Sequence, residues 1–153
     1  ISIKTKITMK TYIAGPFFNP YQLSVIEDIK TMLNVHEYPY FSPKDESFFV
    51  QGKTTPEEIL EVNVNAMFDA GLMVCVTDGK DPGTLFEAGW AYANNLPIIY
   101  LWLTGKPDDK FNLVLAATGS VCTTMDQLSN ALSHIKVTGD FEIKNWAGDI
   151  KYE

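Results

Sequence analysis

A chain of 153 residues with 46% apolar and 20% charged side chains makes one soluble domain, long enough to bury roughly 70% of its unfolded surface. Its net charge is −7 and all 12 basic residues are lysine; an acidic chain without arginine argues against nucleic-acid binding and against bidentate capture of a phosphate monoester. No apolar run approaches the ~18 residues of a membrane span, and residues 1–10 lack a signal-peptide core, so a cytoplasmic protein is expected, with residues 1–9 an N-terminal extension or lead-in and residues 10–153 the domain.

Residues 11–14 are predicted as a short strand that turns at Gly15-Pro16. Asn19 caps a helix opened by Pro20 and running to Leu33. Residues 36–41 read as a second strand, stopped by Ser42-Pro43, and residues 44–53 show no period and read as a surface loop. Thr55-Pro56-Glu57-Glu58 supplies a cap, a first-turn proline and first-turn acids; the helix it starts has Ile59, Val62, Ala66 and Phe68 as its apolar positions and ends near Ala70-Gly71. Residues 72–77 are apolar on both faces, as in a buried parallel strand. Asp81-Pro82 caps a helix to about Asn95, and residues 97–103 form another apolar strand. A short helix over 111–117, a weak strand at Val121-Cys122 and a last helix over 125–135 follow, and residues 138–153 stay unassigned. The alternation of strands and helices predicts an α/β fold with a mostly parallel sheet covered on both faces. Right-handed crossovers then bring the strand ends, and the loops after them, to one edge.

Cys75 and Cys122 lie in apolar segments without C-x-x-C spacing and read as reduced core cysteines. His36 and His134 are far apart, so neither a zinc site nor a Ser/His or Cys/His pair is expected. The chemistry sits instead in Asp78, Asp81 and Glu87. With Asp81 as cap, Glu87 lies between the first and second helical turns and leans back toward the N-terminal mouth. Its neighbours are aromatic or small, and a carboxylate on an apolar face needs a partner or a purpose. Two carboxylates about 5 Å apart at an effective dielectric near 20 repel by roughly 3 kcal/mol, about two pKa units, enough to keep one protonated beside an ionised partner. That pairing suits displacement at a glycosidic carbon. Read without that chemistry, Glu87 is a solvated helix residue and the two aspartates are turn formers.

Tyr12-Ile13-Ala14-Gly15-Pro16-Phe17-Phe18 resembles the Y-x-A-G-P-x-F opening of the nucleoside 2-deoxyribosyltransferase family, and Phe41-Ser42-Pro43 its second strand end. Asp78-Gly79, Asp81-x-Gly83-Thr84 and Glu87-x-Gly89-x-Ala91, followed by Asn95-x-Pro97, resemble its central signature; the likeness runs over about residues 10–115. The resemblance implies a flavodoxin-like, Rossmann-like three-layer sandwich with a five-stranded, mostly parallel sheet. It implies transfer of 2-deoxyribose from a 2′-deoxynucleoside donor to a free nucleobase acceptor through a covalent sugar–enzyme intermediate. The nucleophile then falls on Glu87, the base-holding and proton-exchanging aspartate on Asp81, and the tyrosine that steers the nucleophile on Tyr12. Asn112 matches an asparagine that reaches a sugar hydroxyl, often across a subunit contact. Asn63 stands where many members have a second aspartate, and an amide cannot serve as a general acid. Asp78, Gly15 and Gly83 are expected to line the substrate site, Phe17 to stack on a base, and Phe18, Phe48 and Phe49 to be lesser stacking candidates. Tyr152-Glu153 is compatible with the C-terminal carboxylate that members lend to a neighbour. The family implies a homo-oligomer, from dimer to hexamer, and neither a metal nor an organic cofactor.

Two other readings remain open. A nucleoside 5′-monophosphate N-glycosidase of the same superfamily uses water as acceptor, but needs a phosphate cradle after the first strand. The loop Gly15-Pro16-Phe17-Phe18-Asn19-Pro20 is aromatic and has no basic residue. A non-catalytic nucleoside or nucleotide sensor on the same fold is the other.

Overall fold

Among the described residues of a computed structural model, seven strands form: β1 (Thr11–Ala14), β2 (Tyr40–Phe41), β3 (Leu72–Val76), β4 (Ile98–Leu101), β5 (Phe111–Asn112), β6 (Ser120–Cys122) and β7 (Ile150–Lys151). The helices are α1 (Pro20–Val35), α2 (Pro43–Glu46), α3 (Pro56–Asp69), α4 (Pro82–Ala93), α5 (Leu113–Ala116) and α6 (Met125–Thr138). The structure describes residues 9–47, 49–105, 109–141, 146 and 148–152. Five strands pair in parallel in the order β2-β1-β3-β4-β6, with Thr11 opposite Leu72, Met73 opposite Ile98 and Ile99 opposite Ser120. Every residue of β1, β3 and β4 is buried, because helices cover both faces of the sheet. The fold is therefore the single parallel α/β sandwich expected.

Strand alternation divides the core into two layers. Ile13, Val74, Val76, Ile99 and Leu101 face α1 and α6, meeting Val25, Ile26, Ile29, Leu33, Leu128, Leu132 and Ile135. Tyr12, Ala14, Met73, Cys75, Ile98 and Tyr100 face the other way, toward Ala66 and Met67 of α3 and Ala88 and Ala91 of α4. Each large aliphatic side chain so enclosed contributes about 1.5–3 kcal/mol. Strand order reverses between β1 and β3, which opens a crevice at their C-terminal ends. At that point an added Cβ on Gly15 would come within 3.1 Å of Ile26 and Val76 side-chain atoms, so the chain leaves β1 at a contact only glycine fits easily.

The helix starts follow the local chemistry. Asn19 Oδ1 accepts from Gln22 N, Thr55 and Glu58 form a reciprocal capping box, and Asp81 accepts from Thr84 N. Gly139 closes α6 at φ 77°. No helix among the described residues is long and apolar enough to cross a membrane.

Several expectations shift. Only Tyr40–Phe41 of residues 36–41 pairs as a strand. α1 continues to Val35, Glu37 turns the chain at φ 61°, and Tyr38 buries its ring while its hydroxyl donates to Leu132 O at 2.7 Å. The apolar signal there was packing onto α6. Residues 44–53 are not wholly loop: buried Lys30 of α1 binds Asp45 of α2 at 2.6 Å and Glu27 at 2.8 Å, fixing a short helix to a long one. On α3 the sheet-facing residues include Ala66 and Met67, whereas Val62 is 41% and Phe68 67% exposed, Phe68 lying edge-on to Trp90. The predicted helix over 111–117 begins as β5, which pairs in parallel with β7 from the unassigned tail. Met9 is buried, and a Cβ on Gly71 would meet its side chain at 2.8 Å; residues 1–8 of the proposed extension lie outside the described residues.

Candidate active site

At the C-terminal edge of the sheet, between β1, α3 and α4, lies a cavity of about 400 Å³. Gly15, Phe17, Asn63, Asp81, Gly83 and Glu87 line it, along with Pro43, Ser47, Phe49, Ile59, Leu60 and Phe86. Apolar walls with a few convergent polar groups suit a small organic molecule. A wider cleft of about 840 Å³ runs along β6 and α6, but none of its lining residues among the described ones is a carboxylate. Volume does not decide between them; the placement of ionisable groups does.

Glu87 is brought into position by helix α4, whose start is fixed by Asp81. Asp81 Oδ2 accepts from Thr84 N at 2.9 Å and from Thr84 Oγ1 at 2.8 Å, which leaves Oδ1 for the cavity. Across the crevice, the fully buried Tyr12 rests its ring on Phe41, centroids 5.4 Å apart and nearly coplanar at 17°. Its hydroxyl donates to Glu87 Oε2. Burial pushes the Glu87 carboxyl up from 4.5 to about 7; Tyr12's hydrogen bond pulls it down, and the Asp81 charge adds a smaller upward push. Repulsion between two acids was the expected cause of such a shift, and burial is instead the larger one. The same environment raises the Tyr12 phenol and the Cys75 thiol, each first by burial and then by the charge of Glu87.

The other site residues fall into two groups. Gly15, Phe17, Asn63 and Gly83 face the cavity with Asp81 and Glu87. Asn63 Oδ1 accepts from Ser47 Oγ at 2.5 Å, so its Nδ2 hydrogens are the ones available to a ligand. Phe17 is half-buried and packs on Phe18, centroids 4.9 Å apart; Phe48 lies outside the described residues. Asp78 is not among the lining residues. Its Oδ1 accepts from Leu103 N at 3.0 Å and its Oδ2 from Thr104 N at 2.7 Å, so the carboxylate clamps the loop after β4. Asn112 also lies away from this cavity: Oδ1 caps α5 through Val114 N and Leu115 N, and Nδ2 donates to Tyr152 O at 3.1 Å. Glu153, the terminal carboxylate considered for the site, lies outside the described residues.

Sequence reading missed Ser47, which orients Asn63 from the end of α2, and no motif marks it. It also missed Thr84 as the partner of Asp81, although Asp-x-x-Thr at a helix start carries that signal. Ile59, taken for a core position, lines the cavity together with Leu60.

A parallel sheet with a half-buried carboxylate at its switch point is the layout of an α/β enzyme acting on a small molecule. The family model of nucleoside 2-deoxyribosyltransferase matches residues 11–125, well over half of the chain, and the chain belongs to that family of enzymes. Among solved structures it is similar to a 2-deoxyribosyltransferase from Bacillus psychrosaccharolyticus, with a TM-score of 0.72 and 21% identity over 90% of this chain and 98% of the other. It is also similar to a 2-deoxyribosyltransferase from Leishmania mexicana, with a TM-score of 0.64 and 18% identity over 82% of this chain and 98% of the other. A CMP N-glycosidase from Clostridium botulinum shares the fold at a TM-score of 0.58 and 15% identity, over the same shares of the two chains. A comparison with curated protein sequences finds no match.

Proposed function

We propose that the protein transfers 2-deoxyribose between nucleobases by double displacement, with Glu87 as nucleophile. The observation that carries this reading is the Glu87 carboxylate, half-buried at the switch point, hydrogen-bonded by Tyr12 through one oxygen and facing a nucleoside-sized cavity. Glu87 Oε1 attacks the anomeric carbon, the C–N bond breaks, and the base leaves with its electron pair. Asp81 Oδ1 holds that base and exchanges the proton it gains or gives up. A second base then attacks from the vacated side and expels the carboxylate, so two inversions retain configuration. Tyr12 keeps one carboxylate oxygen fixed, which aims the other. With its carboxyl near pH 7, Glu87 is about half ionised at neutrality, and activity rises as pH climbs through that value.

Asn63 lacks a transferable proton, so base protonation rests on Asp81 or a water. Deoxynucleosides are the favoured donors, since a 2′-hydroxyl destabilises an oxocarbenium-like transition state. An assembled oligomer, in which Asn112 of one copy approaches the sugar bound by another, belongs to the same proposal. A hydrolase acting on 5′-monophosphates is the second reading, favoured by the structural likeness to a CMP N-glycosidase. The aromatic loop after β1, without a basic side chain, weighs against it.

Thymidine plus adenine, with and without a 5′-phosphate on the donor, separates the two. Deoxyadenosine formed from thymidine supports transfer, and free base released only from the monophosphate supports hydrolysis. Intact-protein mass after incubation with a deoxynucleoside is expected to show a deoxyribosyl adduct that Glu87→Gln abolishes. An adduct that persists in Glu87→Gln overturns the assignment of the nucleophile.

A further inference from the structure

Among the described residues that line the Glu87 cavity, the polar side chains are Ser47, Asn63, Asp81, Thr84 and Glu87. Ser47 and Thr84 are 7% and 2% exposed, and each gives its one hydroxyl hydrogen to a neighbour: Ser47 to Asn63 Oδ1 at 2.5 Å, Thr84 to Asp81 Oδ2 at 2.8 Å. With Glu87 assigned to the sugar, Asn63 and Asp81 are left to meet the base. The direction of the Asn63 amide follows from the length of its bond. At 2.5 Å the contact lies within the O–H···O range and below that of N–H···O, so the amide oxygen, and not the nitrogen, faces Ser47. A second acceptor near Ser47 Oγ, Pro43 O, lies at 3.3 Å, beyond that range, so the hydroxyl hydrogen belongs to Asn63. Ser47 is itself held at the end of α2 by its backbone N–H, which donates to Pro43 O at 2.9 Å. Asn63 therefore presents Nδ2, which can only donate, whereas Asp81 presents Oδ1, which takes up or gives back a proton.

We propose, resting on the transfer reading above, that Ser47 and Asn63 make the site selective for 6-oxopurines, hypoxanthine and guanine, over 6-aminopurines such as adenine. A free purine with its hydrogen on N7 gives that proton to Asp81 Oδ1 while the N9 lone pair attacks the anomeric carbon. The C–O bond to Glu87 breaks, and its electron pair returns to the carboxylate. When a purine departs instead, Asp81 gives the proton to N7 as the C–N9 bond breaks and the pair stays on N9. The group on C6 stands beside N7 on the same edge of the base, and the second polar side chain meets it there. A carbonyl O6 accepts from Asn63 Nδ2. An exocyclic amine sets N–H against N–H and leaves donors on both sides without an acceptor. Polar groups left unpaired in this way discriminate between ligands more strongly than a change in apolar contact does.

The test offers the full chain hypoxanthine and adenine together at equal concentration, with thymidine as donor and, in a second run, deoxyguanosine. The early ratio of deoxyinosine to deoxyadenosine is the ratio of the two kcat/KM values, whatever fraction of the enzyme is folded. The expected ratio is about thirtyfold in favour of deoxyinosine. Ser47→Ala frees the amide to turn, and the ratio falls to within about threefold of unity, whereas Ser47→Thr keeps the hydroxyl and the preference. Asn63→Asp puts an acceptor where the donor was, and the ratio inverts. Comparison among the variants cancels the intrinsic reactivity of the two bases. A wild-type ratio at or below unity, or one that Ser47→Ala and Asn63→Asp both leave unchanged, overturns the proposal, while the deoxynucleoside formed still upholds transfer. Binding covers the opposite case, in which neither product forms and the transfer reading fails. In the ¹⁵N-labelled chain the Asn63 side-chain N–H resonances are expected to move with hypoxanthine and to stay in place with adenine. Equal movement with both bases, or none with hypoxanthine, overturns the proposal by itself.

Discussion

Asp78 and Glu87 leave the same end of the sheet, nine positions apart in the chain, and their carboxylates meet opposite fates. Asp78 is satisfied by two backbone N–H groups, of Leu103 and Thr104, and ties the loop after β4 to the loop after β3. Glu87 is half-buried at the cavity with one tyrosine hydroxyl as its hydrogen-bond partner, and its proton is held up to about pH 7. A carboxylate with full hydrogen bonding contributes to stability; one that is desolvated and under-bonded costs stability and gains reactivity. Sequence reading places both at the substrate site, Asp78 in its lining and Glu87 as the reacting group; the surroundings of each instead take Asp78 out of the cavity lining.

The sharpest way to break this contrast is Glu87→Gln, which keeps size and a hydrogen-bonding group but removes the proposed nucleophile. Transfer is expected to fall by about ten-thousandfold or more, measured as deoxynucleoside formed per folded enzyme. Its stability has a distinct signature. The folded-state value of Glu87 is raised from 4.5 to about 7, so the protonated form contributes stability fully below about pH 4.5 and loses it as pH rises through 7. Relative to Glu87→Gln, the wild-type protein should therefore lose stability across that interval in urea titrations, and parallel curves would remove the case for a buried acid.

Tyr12→Phe comes next. Loss of the hydroxyl is expected to lower kcat by about ten- to a hundredfold. Because that hydrogen bond holds the Glu87 value down, the acid limb of kcat/KM against pH should move above 7. A limb that moves down would show that Tyr12 does not act on the ionised carboxylate.

Asp78→Ala tests the other side of the comparison. Two charge-assisted hydrogen bonds disappear, and stability should drop by about 2 kcal/mol, roughly 4–8 °C in Tm. Turnover per folded molecule should stay within about threefold, since Asp78 lies outside the cavity. The smallest effect is expected from Ser47→Ala: without that hydroxyl Asn63 is free to flip, and KM for the acceptor base should rise about fivefold with kcat little changed.

How much of this was legible in the chain depended on how local the cause was. Asp81-Pro82 announced a helix start, and the apolar neighbours of Glu87 announced its setting, because both causes lie within one helical turn. The run of residues 72–76 marked a strand buried on both faces. The clamp on Asp78 was invisible, since it depends on the return of the chain after β4, some 25 residues later. β5 and β7 are two residues each and pair across nearly forty positions, too short for any period to show. On α3, Val62 lies one turn before Ala66 yet stays 41% exposed, and Phe68, two positions after Ala66, sits on another side of the helix and lies edge-on to Trp90.

Lys30 ties α2 to α1, and Ser47, at the end of α2, orients Asn63. The Asn63 edge of the cavity is thereby braced from outside the central sheet, whereas Glu87 and Tyr12 stand on α4 and β1. Asn63 thus rests on a support separate from the helix that carries both Asp81 and Glu87. Exchange of the segment from Pro43 to Asn63 offers a route to a changed choice of nucleobase with the reacting carboxylate undisturbed, a division of labour that makes the fold open to retargeting.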